Sequence, residues 1–261
     1  MFANYHTHTS RCGHATGSEE EYILRAIENG IKIMGFSDHM PFRFPDGHQS
    51  GFRVPMEQAQ EYMAVLSALR EKYQDQIELH VGFEMEYYPL YFKEMLAYSK
   101  ELGAEYLILG QHFIGNEHPN GRYVALPSDS VAELAEYVDC VIAGMESGAF
   151  RYVAHPDVFR FRGDPNIYEA ESRRLCMVAK ALDMPLEINF LGIRDHRHYP
   201  ADRFWKIAGE CGCKAIFGFD SHAAADAYDG ASFERARRLL ESCHLELVER
   251  LEFVSPEKNH G

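Results

Sequence analysis

Six strand-like runs in this chain each end on residues that ligate metals. The first, Phe2-Ala-Asn-Tyr5, closes on His6-x-His8. The others end in Phe36-Ser-Asp-His39, Gly82-Phe-Glu84, Gly110-Gln-His112, Val153-Ala-His155 and Phe219-Asp-Ser-His222. One His-x-His pair means little among 14 histidines in 261 residues, and His196-x-His198 shows how readily the spacing arises. The recurrence is what constrains the fold. One site can draw on six strand ends only if those ends share a rim, and parallel strands with right-handed crossovers put them there.

The patterning between the motifs agrees. Strands are expected near 2–6, 31–37, 77–84, 106–111, 151–154, 185–190 and 214–219. Helical patterns fall at 22–29, 56–73, 131–145, 166–182, 201–211 and 232–243. Ser18-Glu-Glu-Glu21 has a capping-box arrangement, with Gly30 at the stop position, and Ser128 or Ser130 is positioned to cap the third helix. Alternating strands and helices with no edge strand imply an α/β fold, a distorted seven-stranded (β/α)7 barrel that resembles a TIM barrel. Its functional residues would lie on the C-terminal rim. No linker, repeat or low-complexity tract divides the chain, so residues 1–261 are expected to form a single domain.

A formal net charge of −14 argues against nucleic-acid backbones and anionic membranes as partners. It leaves room for a small anionic substrate, because bound cations reverse the field locally. No secretory pattern opens the sequence and no apolar run is long enough to span a bilayer. The six cysteines are scattered, and Cys211-Gly-Cys213 reads as a reduced pair. A cytoplasmic protein is expected.

Imidazoles mixed with carboxylates suit Zn, Fe, Mn or Co better than Mg or Ca. The nine candidates are His6, His8, His14, His39, Glu84, His112, His155, Asp220 and His222. Nine exceed the needs of one ion and imply two or three divalent metals, with Glu84 as the bridge. The ordinary alternative for any one of them is a hydrogen-bonded structural residue. Asp38 reads as an orienting residue or a rim polar. Glu86 reads in the same way, and is expected to point away from the barrel interior. His80 reads as a core histidine, His48, His118 and His244 as surface residues, and His196 and His198 as loop residues.

These motifs together resemble the PHP (polymerase and histidinol phosphatase) superfamily. The resemblance runs through His6-Thr-His8, His14, Ser37-Asp-His39, Gly82-Phe-Glu84, His112, His155-Pro and Asp220-Ser-His222. Finer features are similar to the histidinol-phosphate phosphatase branch: Ser37-Asp-His-Met-Pro41, Glu61-Tyr62 with Lys72-Tyr73, Glu187-Ile-Asn189, Gly192-Ile-Arg194 and Tyr199-Pro200. Gln111 stands where serine is expected, and Phe219 where serine is commoner. The resemblance implies a trinuclear centre. His6, His8, Glu84 and Asp220 would hold one metal, Glu84, His112 and His155 a second, and His14, His39 and His222 a third.

The expected chemistry is phosphomonoester hydrolysis by water whose pKa coordination lowers. Glu84, Asp220 and His222 are the expected catalytic residues, with Asp220 or a rim histidine protonating the leaving alkoxide. Arginine's fork matches phosphate oxygens, and Arg160 and Arg197 are the favoured clamp over Arg162 and Arg194. Arg194 and Asn189 are further candidates for substrate contact. The resemblance points to a small phosphorylated amino alcohol, L-histidinol phosphate, with Glu117, Asp195 and Glu187 as possible partners of its cationic groups. Alternatives are a broader phosphoesterase, a protein-tyrosine phosphatase, a nuclease or a non-catalytic metal-binding module. The loop 40–54, with Phe42, Phe44, Phe52, Arg43 and Arg53, would cover a small substrate or grip a base.

Overall fold

The computed structural model describes residues 3–253. Phe2 of the expected first strand lies outside the described residues, and what remains is β1, Ala3–Asn4. α1, Glu19–Glu28, starts where the capping box puts it. The Glu21 N–H donates to the Ser18 hydroxyl and the Ser18 N–H to the Glu21 carboxylate. β2 (Ile33–His39), α2 (Ala59–Tyr73), β3 (Glu78–Met85), α3 (Phe92–Glu101) and β4 (Tyr106–Leu109) follow. A small antiparallel hairpin, β5 (Phe113–Ile114) and β6 (Arg122–Tyr123), leads to α4, Val131–Glu146. Ser130 caps α4 by accepting from the Glu133 N–H. α5, Pro165–Ala181, opens on proline behind an Asp164 cap, where a missing N–H costs nothing. β7 (Leu186–Asn189), the short α6 (Phe190–Arg194), α7 (Asp202–Glu210), β8 (Lys214–Gly218), α8 (Gly230–Ser242) and β9 (Glu246–Leu247) complete the order.

The strands form an α/β fold around a curled parallel sheet. β1, β2, β3 and β4 pair in that order, with His39 beside Glu84. β7, β8 and β9 form a second parallel group. The expected strand 151–154 is too short to form a regular strand, but it sits between β4 and β7, with bridges from Val153 to Leu109 and to Leu186. Backbone hydrogen bonds accompany them, such as Arg151 N–H to the Leu107 carbonyl and Glu187 N–H to the Val153 carbonyl. A further bridge, Thr7 to Ser221, joins the chain leaving β1 to the chain leaving β8. The ladders therefore do not display seven regular strands. β9, absent from the sequence expectation, occupies the N-terminal end of β8 through Lys214 and Glu246, so β1 reaches that chain only beyond the end of β8. No helix among the described residues is long and apolar enough to cross a membrane.

Alternation along the strands separates two layers. Met34, Phe36, Leu79, Val81, Phe83, Met85, Leu107 and Ile188 face the helices. Ala3, Tyr5, Ile33, Tyr106, Ile108, Tyr152 and Ile216 form a separate buried cluster that plugs the interior. Above this plug the inward parity carries Glu84, Glu86, Glu187 and Asn189, all buried. Glu86 thus departs from expectation, and for an elementary reason: residues two apart on a strand share a face. His80 also differs from a core histidine. It is half-buried near the opposite end, bonded to Glu105 and Glu78 at 2.8 Å each.

Candidate metal centre

All nine candidate ligands converge. His6 Nε2 lies 3.1 Å from His8 Nε2, and both face Asp220 Oδ1, at 3.6 and 3.2 Å. Glu84 stands in the middle. Its Oε2 is 3.6 Å from His6 Nε2, 3.5 Å from His8 Nε2 and 3.1 Å from His39 Nδ1. Its Oε1 meets His155 Nε2 at 2.9 Å and His112 Nε2 at 3.5 Å. His14 Nε2 and His222 Nε2 close the far side at 3.0 Å. Donor atoms of His6, His8 and Asp220, of Glu84, His112 and His155, and of His14, His39 and His222 each fall within 4.8 Å of one another. Cys12 Sγ joins His8 and His222 in a like grouping, although the thiol donates to the Thr9 carbonyl at 3.1 Å.

The ring nitrogens pointing away from this centre show what it is built to hold. His6 Nδ1 bonds Glu187 at 2.8 Å, His8 Nδ1 bonds Asp38 at 3.2 Å, and His112 Nδ1 bonds Glu86 at 2.9 Å. His14 and His222 direct Nδ1 to the backbone carbonyls of Cys12 and Asp220, each at 3.1 Å. Those acceptors require a proton on Nδ1, so each neutral imidazole presents a bare Nε2 lone pair to the centre. Two such lone pairs 3.0 Å apart repel unless a cation lies between them. Glu84 Oε2 and His39 Nδ1 are buried without a hydrogen-bond partner, as is His155 Nδ1. An array of imidazole nitrogens and carboxylates of this kind fits divalent metal ions.

The electrostatics agree. Burial disfavours charge on His8, yet bonds to Asp220 and Asp38 raise its pKa to about 9. Burial likewise opposes charge on His6, but Glu187, Asp220 and Glu84 carry it well above the usual value. On the other side, burial and the positive field of His8 push His222 down to about 3. Burial would raise Glu84, but His112, His6 and His39 hold it well below the usual carboxylate range. The carboxylates around His6 and His8 thus favour positive charge there, which a bound cation would supply in place of a proton, while the charge at His8 disfavours a second at His222.

Local backbone and packing position these groups. Alternation from the inward-facing Ala154 would send His155 outward, and its φ of 30° turns it back. Asp220 also has a positive φ, 49°. Gly110 leaves room for the Glu84 carboxylate on the adjacent strand: a Cβ there would lie 1.8 Å from Glu84 Oε1. Asn189 does not line the cleft. Its amide donates to Glu187 and Asp220 at 2.6 and 2.9 Å, and its carbonyl caps α6 through the Gly192 N–H. Glu187, considered for substrate contact, is fully buried behind His6, and Glu117 is spent on Arg53.

Above the centre opens a cleft of about 610 Å³. His14, His39, Glu84, His112, His155, Asp220 and His222 form its floor, with Phe52, Phe113 and Tyr123 among its walls and Asp195 and Asp226 among its acids. Arg194 and Arg197 both line it. Arg194 is held by Asp229 at 3.0 Å, and Arg197 by Asp195 at 2.9 Å and the Tyr199 hydroxyl at 3.0 Å. Arg160 lies outside the lining, with Nε buried and unpaired. His196 and His244 are exposed, and His198 is half-buried against the Val158 carbonyl. His48 and His118 stack on each other at the loop surface, 4.0 Å apart. Sequence reasoning offered Glu86 as an orienting residue or rim polar but pointed it away from the interior, and took Glu187 for a substrate contact. The signal that places both behind the histidines is strand parity with Glu84 and Asn189.

A family profile described as PHP domain matches residues 4–190. A relative from Deinococcus radiodurans named "Probable histidinol-phosphatase" is 28% identical over 225 residues, covering 83% of this chain and 85% of its own. One from Shewanella pealeana named "Probable phosphatase" is 26% identical, covering 97% of this chain and 88% of its own. Among solved structures, histidinol phosphate phosphatase from Lactococcus lactis, complexed with Zn, L-histidinol and phosphate, matches with a TM-score of 0.72. At 18% identity, over 96% of this chain and 98% of that one, the match shows a shared fold.

Proposed function

Because this chain belongs to the PHP domain family, we propose that it is a metal-dependent phosphomonoesterase that hydrolyses L-histidinol phosphate to L-histidinol and phosphate, in histidine biosynthesis in the cytoplasm. The observation that carries this reading is the convergence of bare imidazole nitrogens around Glu84 at the floor of an open cleft. The nine ligands would hold two to three Zn, Fe or Mn ions, with Glu84 bridging. Such ions, when bound, supply Lewis acidity to phosphoryl oxygens and lower the pKa of water. The seven-stave ring is part of the same proposal, with 151–154 as its irregular member, and so is a single domain spanning the chain.

The protein's own residues do the rest. Glu187, Asp38 and Glu86 fix the tautomers of His6, His8 and His112. Asn189 orients Asp220. Arg197 and Arg194 face the cleft, where a phosphate would meet a guanidinium fork. Arg160 could join them only by reaching in from the chain that follows His155. A cleft of about 610 Å³ suits a small ester, and the Phe52–Phe113–Tyr123 wall with Asp195 and Asp226 suits a cationic heteroaromatic group. No nucleic-acid track or membrane contact is required.

Phosphate release from histidinol phosphate, p-nitrophenyl phosphate and a dinucleotide tests the assignment. Histidinol phosphate should be preferred, and activity should vanish on thorough chelation and return with metal. Equal turnover of all three would replace the assignment with a broader phosphoesterase.

A further inference from the structure

We infer that Arg53 is a positioning residue: it pins the loop covering the cleft to the metal-site histidine His112, an inference that rests on reading His112 as a ligand. The loop leaves the end of β2 and returns to it, the Val54 N–H donating to the His39 carbonyl at 3.3 Å. Near its end, Phe52 sets its ring edge-on to His39 at 4.9 Å and His112 at 5.9 Å, and stacks on Phe113 at 5.9 Å. The next residue, Arg53, is 4% exposed. Its guanidinium sits 4.7 Å from the Phe52 ring centre.

Burying a guanidinium is costly unless every donor finds a partner. Arg53 Nη1 donates to the Met40 carbonyl at 3.0 Å, which ties the two ends of the loop together. Nη2 donates to Glu86 Oε2 at 2.7 Å and to the Tyr88 hydroxyl at 3.1 Å, and Nε to Glu117 at 2.9 Å. The path continues through Glu86, whose other oxygen accepts from His112 Nδ1 at 2.9 Å. Loop backbone, Arg53, Glu86 and His112 thus form one buried chain of charged hydrogen bonds. The carboxylates behind His6 and His8 are supported differently. Glu187 takes the Asn189 amide, and Asp38 takes the Thr9 N–H and hydroxyl and the His39 N–H. Of these three carboxylates Glu86 is the one bonded to the covering loop, through Arg53. The loop and the metal held by His112 should therefore stabilise each other.

The test uses full-length zinc-loaded protein, with chelator titration followed by elemental counting and with thermal melting of the stripped form. Arg53→Lys keeps the charge but cannot reach Met40, Glu86 and Tyr88 together. Arg53→Lys and Glu86→Gln should each weaken the least tightly held zinc equivalent by about 10- to 100-fold. The double variant should be little worse than either single one, since both cut one path. Wild-type zinc retention in Arg53→Lys, with only a lower melting temperature, would reduce Arg53 to a structural role and overturn the inference. A second measurement needs no variant. Linkage is reciprocal, so zinc loading of the wild type should slow amide exchange across residues 41–53. Unchanged exchange there, with zinc bound, overturns the coupling. A wild type that binds less than one zinc equivalent overturns the proposed function itself, and the zinc count separates the two failures.

Discussion

Glu84 is the residue on which the centre turns, and its position depends on an absence beside it. A methyl group at Gly110 would meet Glu84 Oε1 at 1.8 Å and Cγ at 2.6 Å, so the carboxylate would have to swing away. Gly110→Ala should therefore fold, lose at least one metal equivalent and show kcat/KM reduced by about 100-fold, the cost of an ångström-scale misplacement. Elemental analysis with steady-state kinetics checks this, and full metal content with full activity would show that Glu84 is not the bridge. Glu84→Gln should cost more, at least about a thousand-fold in kcat. Glu86→Gln should fall between that and wild type, because Glu86 is buried behind His112. The nine candidate ligands, which the fold brings together, were legible in the sequence because each closes or follows a strand-like run. The need for glycine at 110 was not, since it arises only where β4 lies beside β3, pairing Glu84 with Ile108. Arg53 was read as a loop residue over the substrate, and its bond to Glu86 escaped for the same reason: Glu86 is 33 positions away in sequence.

At the scale of elements, the chain leaving each strand decides which arginine can reach substrate. Beyond β7, Asn189 caps α6, and the turn after it delivers Arg194 and Arg197 to the cleft. The chain after His155 instead bonds back toward the hairpin and the start of α4, Arg160 N–H to the Val124 carbonyl and Ser128 N–H to the Arg160 carbonyl. Arg197→Ala should then raise KM and lower kcat/KM by about 10- to 100-fold with metal content intact, as for a lost charged hydrogen bond. Arg160→Ala should stay near wild type, and the reverse ranking would show that Arg160 swings into the cleft. Capping residues and apolar alternation made most elements legible, within a few residues at their ends. α3 was missed because it buries little, Met95 and Ser99 alone. β9 and the β5–β6 hairpin are two-residue strands whose partners are remote or whose period is too short to register. The run 151–154 read as a strand from its apolar residues, yet only Val153 bridges to both neighbours.

On the scale of the whole molecule, the two shortest seams of the curled sheet are the places that the candidate ligands span. Between β4 and β7 the run 151–154 makes only a short ladder. On one side Arg151 N–H donates to the Leu107 carbonyl, Leu109 N–H to the Tyr152 carbonyl and Ala154 N–H to the Leu109 carbonyl. On the other, Val153 N–H donates to the Pro185 carbonyl and Glu187 N–H to the Val153 carbonyl. His112 and His155 come from the two sides of its β4 edge. Between β1 and β8 the backbone meets at Thr7 and Ser221, flanked by His6 and His8 on one side and Asp220 and His222 on the other. Metal ions shared across both seams would act as staples, and a ligand that binds only the folded chain stabilises it by mass action. At free metal about a thousand-fold above Kd the gain is about 4 kcal/mol per site. For a chain of this size about 1 kcal/mol moves Tm by roughly 2–4 °C. Chelation should therefore lower Tm by on the order of 10 °C for each site that is tightly held. Amide exchange should then rise first around residues 5–8 and 151–155, ahead of the β2–β3 ladder, which pairs from Ile33–Glu78 to His39–Glu84 without interruption. Calorimetry with and without chelator, paired with exchange mapping, reads both effects. If metal is removed and neither Tm nor exchange at the seams changes, the apolar plug and the helix layer hold the ring closed on their own, and the centre serves chemistry alone.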